Sequence, residues 1–323
     1  MRFGFSLGSL LSVDQIIDCS KILSRYNVDS IWVPETWGVD CGSVLAVISQ
    51  IASKPNIGSS IMNVYSRSPS LIAMTAATLD TMSKGRMILG LGSSSKAIVE
   101  NWHGIEFAEP LSRIKEYVDI IRNVLSGEKV VYDEKFFHLQ DFSLLIKPPR
   151  KKIPIYLAAI NKKMIDLAWN VADGVIFYLQ PMDVLQKIIP PMQKKKKIYV
   201  ACQIITCVSK NRDHASERAK KTIAFYVSVG KIYRDYLSNN GFEKETNAIF
   251  AEYKKSGLKN VHSVVSDDML NSLAIHGTPE QIPSKVKKFI DAGVDLPILQ
   301  FNPVGDVIPS FNLLVSSLEG EMK

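Results

Sequence analysis

The chain has 323 residues, 46% hydrophobic and 22% charged, with a formal net charge of +7. That is ordinary globular composition and enough apolar residue for a sizeable core. No basic stripe interleaved with aromatics argues for nucleic acid, no apolar stretch is long enough to span a bilayer, and the N-terminus lacks the apolar core of a signal peptide.

Taken in order, residues 2–7 read as a strand, and residues 9–13 lead into a helix with Ile16, Ile17, Ile22 and Leu23 on its apolar positions. Residues 29–34 form a second strand, followed by the loop Glu35-Thr36-Trp37-Gly38-Val39-Asp40 and a helix over 42–52. A third strand covers 56–62 and a third helix 69–82, with Pro69 at its first turn. Gly85 stops that helix and a fourth strand begins at Met87. Strand and helix thus alternate four times in the first third of the chain, which predicts βαβ units and a parallel sheet. Residues 110–125 form a helix with Leu111, Ile114, Val118, Ile121, Val124 and Leu125 on one face, ended by Gly127. Residues 129–145 alternate and predict a hairpin-like excursion. A fifth strand (153–159), a helix (162–171), a sixth strand (174–178) and a seventh (198–208) follow. The run Lys194-Lys195-Lys196-Lys197 reads as a solvated loop. From 213 to 273 the pattern is helical with breaks at Gly230, Gly241 and Gly257, too long for one crossover. A helix from Thr278 and an eighth strand over 296–301 complete the chain.

Eight strands with intervening helices predict an α/β fold, a TIM (β/α)8 barrel forming one domain over 1–323, with a helical insertion over 209–273 after the seventh strand. A doubly wound sheet would want GxGxxG after the first strand, where Gly4-Phe5-Ser6-Leu7-Gly8-Ser9 does not fit. Cys19, Cys41, Cys202 and Cys207 have no metal-ligand spacing, and Cys202 and Cys207 read as packed thiols. The five histidines are too scattered for a zinc site, so no metal is expected and the chain is expected to be cytoplasmic and reduced.

In a barrel, functional residues belong at the C-terminal strand ends. The stretch 87–104 is the richest: an apolar strand, Gly90 and Gly92 bringing the backbone close to something, Ser93, Ser94 and Ser95, then Glu100, Trp102 and His103. A solvated connection with one buried Trp is the bland alternative.

Four blocks then carry a resemblance. They are residues 29–38 (Asp-Ser-Ile-Trp-Val-Pro-Glu-Thr-Trp-Gly); Gly58 through Met62-Asn63 to Arg67 and Pro69, with residues 75–80 and Gly85-Arg86; the 87–104 stretch continued by Pro110, Arg113, Glu116-Tyr117 and Gly127-Glu128; and residues 153–159 with Ala172-Asp173-Gly174. A weaker fifth is residues 277–280 with Asp291-Ala292-Gly293. In this order and spacing the chain resembles the bacterial-luciferase-like barrel superfamily, in particular its coenzyme F420-dependent oxidoreductases related to methylenetetrahydromethanopterin reductase. The resemblance spans most of the chain except about residues 186–273.

The resemblance implies hydride transfer between a deazaflavin and a small organic substrate. It implies a non-prolyl cis peptide at Ser60–Ile61, followed by Met62, bulging from the third strand against the ring, and often a homodimer. Phosphate would be met after the fifth strand, by Asn161, Lys162 and Lys163, and by Ser93, Ser94 and Ser95, with Ala159 also expected among the cofactor-binding residues; helix capping is the alternative reading of Ser and Asn. Relatives usually carry Gly at the Asn161 position. Glu35, Glu100 and His103 are the candidate acid–base groups, with Thr36 standing where the reductases have His. Trp37 and Trp102 could wall the ring or be core. Arg113 and Glu116, one turn apart, read as a structural pair. Two other readings stay open: an FMN-dependent monooxygenase on the same barrel, and a catalytically silent flavin-binding barrel.

Overall fold

A computed structural model describes residues 1–8, 10–150 and 152–322; Ser9, where the lead into the first helix was expected, lies outside them. The parallel elements come in strict alternation: β1 (Gly4–Ser6), α1 (Val13–Leu23), β2 (Ser30–Val33), α2 (Cys41–Ile51), β3 (Asn56–Ser59), a two-residue continuation β4 (Met62–Asn63), α3 (Pro69–Met82) and β5 (Met87–Gly92). After a π-helical turn at Ile98–Trp102 come α4 (Pro110–Ser126) and the antiparallel hairpin β6 (Val130–Asp133) and β7 (His138–Phe142). The chain continues with β8 (Ile155–Ala158), α5 (Lys162–Val171), β9 (Gly174–Tyr178), α6 (Met182–Lys195) and β10 (Tyr199–Val208). Then follow α7 (Arg212–Val229), α8 (Lys231–Leu237), α9 (Glu243–Ser256), α10 (Asp267–Leu273), β11 (Ala274–Gly277), α11 (Ile282–Asp291), β12 (Leu296–Phe301) and α12 (Val307–Ser317).

Sheet order runs β1-β2-β3-β5-β8-β9-β10-β12 and returns to β1, so eight parallel strands close into a barrel. β11 is an additional strand on β10, pairing Ile205 with Ala274 through Val208 with Gly277. The eight expected barrel strands all form. β11 escaped notice because four residues follow α10 with no break between them. α6 escaped because Pro190-Pro191 sits inside it, where a helix is least expected. That helix also corrects the lysine run: Lys194 and Lys195 occupy its last turn, where cations suit the carbonyl end, and Lys196 is its cap.

The chain forms two compact units, Met1–Ser6 with Phe177–Lys323 and Leu7–Ile176. In the second, side chains fill the sheet's inner face in a layer: Trp32 and Tyr156, from non-adjacent strands, approach to 6.1 Å between ring centroids. Gly58 and Gly174 leave room for them, since a Cβ at either would strike these rings. An ion pair also ties the unit internally. Asp80, fully buried on α3, accepts from the Met87 N–H (3.1 Å) and from Arg150 Nε (3.1 Å), with a closer contact to the guanidinium Nη2. In the first unit, Phe5 and Phe301 pack on Phe311 of α12. On the other face, Ile205 and Cys207 pack with Ala215, Ala219 and Ile223 of α7. All four cysteines are buried and free. Among the described residues no helix is long and apolar enough to cross a membrane.

Candidate active site

In the Leu7–Ile176 unit, the loops after β2, β3, β5 and β8 carry every residue expected at the site. Pairing explains the shape of the third strand. Gly58 pairs with Ile88 and Met62 with Leu91, so four steps along β3–β4 oppose three along β5. One extra residue is accommodated there, a bulge over Ser60–Ile61. The two strand glycines make it possible: a Cβ on Gly90 would collide with the carbonyl oxygen of Ser59, and one on Gly92 with Ile61 Cδ1. Ser59 Oγ replaces the lost ladder, donating to Gly90 O and accepting from Gly90 N, both at 2.9 Å. Gly90 and Gly92 therefore admit a neighbouring strand. The expected cis bond is absent: no peptide among the described residues is cis, and Ser60–Ile61 is trans. The extra residue takes up the bend without it.

The bulge leaves Ser60 Oγ and Asn63 Nδ2 buried without a protein partner. On the adjacent strand end stands Glu35. Its Oε1 accepts from Arg67 Nη2 (2.7 Å) and the Cys41 N–H (3.4 Å), while Oε2 is buried and unpartnered. Arg67 also pairs with Asp40, which caps α2 through the Ser43 N–H (2.7 Å). Burial works against the Arg67 charge, but Glu35 and Asp40 outweigh it and hold the guanidinium pKa above its usual value. Burial likewise opposes ionisation of Asp40, and the Ser43 and Arg67 bonds prevail, keeping its carboxyl below the usual range. Cys41 is pushed well up by burial first and by the Glu35 charge second, so it is an inert thiol. Tyr117 Oη fixes this arrangement from α4, donating to Arg67 O (2.6 Å). Sequence reasoning missed Asp40 and Arg67 as a site pair. Two acids in one short loop were the signal that a cation must come from elsewhere in the fold.

The loop after β5 is held by its own side chains. Ser94 adopts φ +59°, a left-handed conformation costing roughly 1 kcal/mol in a non-glycine residue. Ser93 Oγ donates to Ser94 O, and Ser95 Oγ accepts from the Ile98 N–H, both at 3.4 Å. Glu100 accepts from the Phe107 N–H (3.3 Å) and faces Lys96 (3.7 Å), so its carboxylate ties down the loop. His103 ends the π-helical turn, its N–H donating to Ile98 O (3.1 Å). Trp102 and Trp37 are 65% and 54% exposed, which removes the core reading of both. Thr36 is half-buried beside Trp37 in sequence.

After β8, Ala159 is buried and its N–H donates to Ile176 O (3.2 Å). Asn161 caps α5 through the Met164 N–H (3.1 Å), in extended backbone that needs no glycine. Lys162 and Lys163 open the helix exposed, with Lys162 bridged to Asp166 (2.7 Å). A helix N-terminus with two cations thus stands where phosphate was expected. Arg113 and Glu116 do not pair. Arg113 lies over the rings of Tyr65 (4.8 Å) and Phe136 (4.7 Å), and Glu116 accepts from the Phe136 N–H (3.1 Å), so both anchor the turn that joins β6 to β7.

Against known proteins, the luciferase-like monooxygenase family model matches residues 1–296. The 5,10-methylenetetrahydromethanopterin reductase of Archaeoglobus fulgidus is 27% identical over 317 residues, 94% of each chain. A putative coenzyme F420-dependent oxidoreductase of Mycobacterium tuberculosis is 26% identical over 84% of this chain and 86% of its own. In fold, the chain is similar to the coenzyme F420-dependent tetrahydromethanopterin reductase of Methanopyrus kandleri, with a TM-score of 0.88 over 100% of this chain and 99% of that one at 22% identity.

Proposed function

The chain belongs to the luciferase-like monooxygenase family, and from that membership we propose that it is a coenzyme F420-dependent oxidoreductase, moving a hydride between the deazaflavin and a small organic substrate. The observation that carries this is the long likeness to a 5,10-methylenetetrahydromethanopterin reductase and to a putative coenzyme F420-dependent oxidoreductase, met by a site whose unpartnered atoms suit such a ring. A deazaflavin presents ring N–H and carbonyl groups. Ser60 Oγ and Asn63 Nδ2 can donate, and Glu35 Oε2 can accept, all from buried positions. Bound F420 would supply the ring carbon that gives or takes the hydride.

The chain's own residues do the rest. Arg67 and the Cys41 N–H fix one oxygen of Glu35 and leave Oε2 as the atom that takes or gives a proton. Glu100 and His103 shape the loop after β5 instead of sharing that task. Ser93, Ser94 and Ser95 offer hydroxyl and amide donors, and Asn161, Lys162 and Lys163 offer a helix N-terminus and charge for the cofactor's phosphate. Thr36, Trp37, Ile61, Met62 and Ala159 line the cofactor-binding strand ends. The trans Ser60–Ile61 bond leaves the bulge itself, with Ile61 seated on Gly92, as the support for the ring. We further propose a homodimer, cytoplasmic, with residues 1–323 as one domain and helices of 209–273 inserted in it; light scattering tests the dimer.

Titration of the purified protein with F420 and with FMN, each followed by absorbance, tests the assignment. Saturable F420 binding without oxygen consumption is expected. Binding of FMN with oxygen consumption would place the chain with the monooxygenases, and binding without any turnover would leave a silent flavin carrier.

A further inference from the structure

The unit of Met1–Ser6 with Phe177–Lys323 holds a cavity of about 500 Å³ that the reading above does not use. One wall is the start of α7, where helical spacing sets two stripes of side chains next to each other. Arg212, Ser216 and Lys220 form one, Asp213 and Glu217 the other. The first stripe faces α10 and β11: Lys220 pairs with Asp267 (2.7 Å), and Ser216 Oγ lies 3.0 Å from Nδ1 of His276. The second faces the short turn Val261–Val264, with Glu217 Oε1 3.7 Å from His262 Nε2. A cationic and an acidic stripe therefore border one space.

Part of this charge is matched within the protein. Lys220 has Asp267, and Glu217 has Lys221 (2.6 Å). Arg212 and Asp213 are not: neither forms an ion pair with any of the described residues. The Arg212 charge nevertheless reaches the inner end of the cavity. After burial and Lys285, it helps lower the pKa of buried His276 to about 4, and after burial it helps lower that of half-buried Lys285 to about 8. The acid that acts on His276 in the other direction is Asp267, which Lys220 already holds. Across the cavity, His262 Nδ1 is buried with no hydrogen-bond partner, and its Nε2 is too far from Glu217 to have one there. Buried polar atoms are nearly always bonded, so this one calls for a partner from outside the chain.

We propose that this cavity binds a small zwitterion, a free α-amino acid with a neutral polar side chain, its carboxylate on Arg212, its ammonium on Asp213 and its side chain toward His262. The site goes beyond the oxidoreductase reading and does not depend on it. Consecutive helical side chains diverge too far to pair with each other, but a ligand whose two charges lie a few bonds apart can bridge them. The guanidinium fork fits a carboxylate with two parallel bonds, and the Asp213 carboxylate accepts from an ammonium. An anion alone would meet Asp213 as a like charge, and a cation alone would meet Arg212. Leu270 is the one apolar residue among those lining the cavity, so a polar ligand side chain suits the rest.

Three matched probes make the test: glutamine, glutaramate, which lacks the ammonium, and γ-aminobutyramide, which lacks the carboxylate. Binding of each to the full-length protein is followed by saturation-transfer NMR titration. Glutamine is expected to bind about fivefold more tightly than either of the others, and Arg212→Gln and Asp213→Asn each to lose about fivefold in glutamine affinity. The variants should also part in a crossed pattern. Arg212→Gln removes the advantage of glutamine over γ-aminobutyramide, and Asp213→Asn removes its advantage over glutaramate. Melting temperatures are expected to hold, because neither side chain makes an ion pair with the described residues. Absence of saturable glutamine binding, equal binding of the three probes, or variants that keep their glutamine affinity overturn the site.

Discussion

The two units of the chain bury their polar groups with different emphasis. In Leu7–Ile176 the conspicuous ones are ion pairs, Asp80 with Arg150 and Arg67 between Glu35 and Asp40, beside the neutral and unpartnered Ser60 Oγ and Asn63 Nδ2. In the unit of Met1–Ser6 with Phe177–Lys323 they are neutral. His276, 1% exposed, sits between Ser216 Oγ and Asn271 Oδ1, each at 3.0 Å, and Tyr226 and Tyr233 pack on Tyr178. Charged pairs fix geometry strongly because losing one partner strands the other. Neutral groups left unpaired keep their capacity to bond with a visitor.

Several measurements would break or sharpen that contrast. The largest effect is expected at Glu35. Glu35→Gln should lower turnover by about 10²-fold or more, with F420 affinity and folding retained, whereas Glu100→Gln should stay within about twofold; steady-state kinetics of both variants would show it, and equal losses would break the division of labour. Next, Asp80→Ala should cost about 3–5 kcal/mol in urea unfolding, because Arg150 would keep a half-buried charge with no partner. In the neutral unit the corresponding weakness is acid. Burial, then the charges of Lys285 and Arg212, lower the His276 pKa from 6.5 to about 4. The unfolded chain therefore binds the proton first: stability is full above about pH 6.5, falls as pH drops toward 4, and has lost about 3 kcal/mol below that. Urea midpoints across this range should show the fall, and His276→Gln should flatten that part of it. The smallest effect is at the cap of α5, where Asn161→Ala should cost about 1 kcal/mol and weaken F420 binding only slightly if the helix amides are the main phosphate donors.

How much of this the residues announced depends on how local each feature is. The barrel strands were legible because each is an apolar run of four or more residues bounded by turn residues, and α5 because Asn161 caps it where the pattern begins. The hairpin after α4 was legible from its alternation. What depends on partners distant in sequence was not. Gly90 and Gly92 announced a close approach but not what approached, since Ser59 and Ile61 lie about thirty residues earlier. The family pattern suggested a cis bond at 60–61, where an extra residue in the strand makes the bend instead. Arg67 became part of the site only when the fold brought it to Glu35. Tyr226 and Tyr233, which pack on Tyr178, came from the stretch with least resemblance, whose helical pattern says nothing of what its rings will face. α6 was hidden for a different reason: its own prolines contradict it, and tertiary burial of Val184, Leu185 and Ile189 overrides them.

The bulge beside Gly90 also bears on how such a chain can change over generations. Because Ser59 stands in for a missing rung and Gly90 yields it the space, neither position is free to drift by itself. A larger residue at 90 becomes tolerable only once the neighbouring strand has straightened, and a straightened strand would draw Ser60 and Ile61 back into the pleat. Libraries randomised at 59, 61, 90 and 92 together should therefore yield functional survivors as linked sets, and few from any one of the four alone.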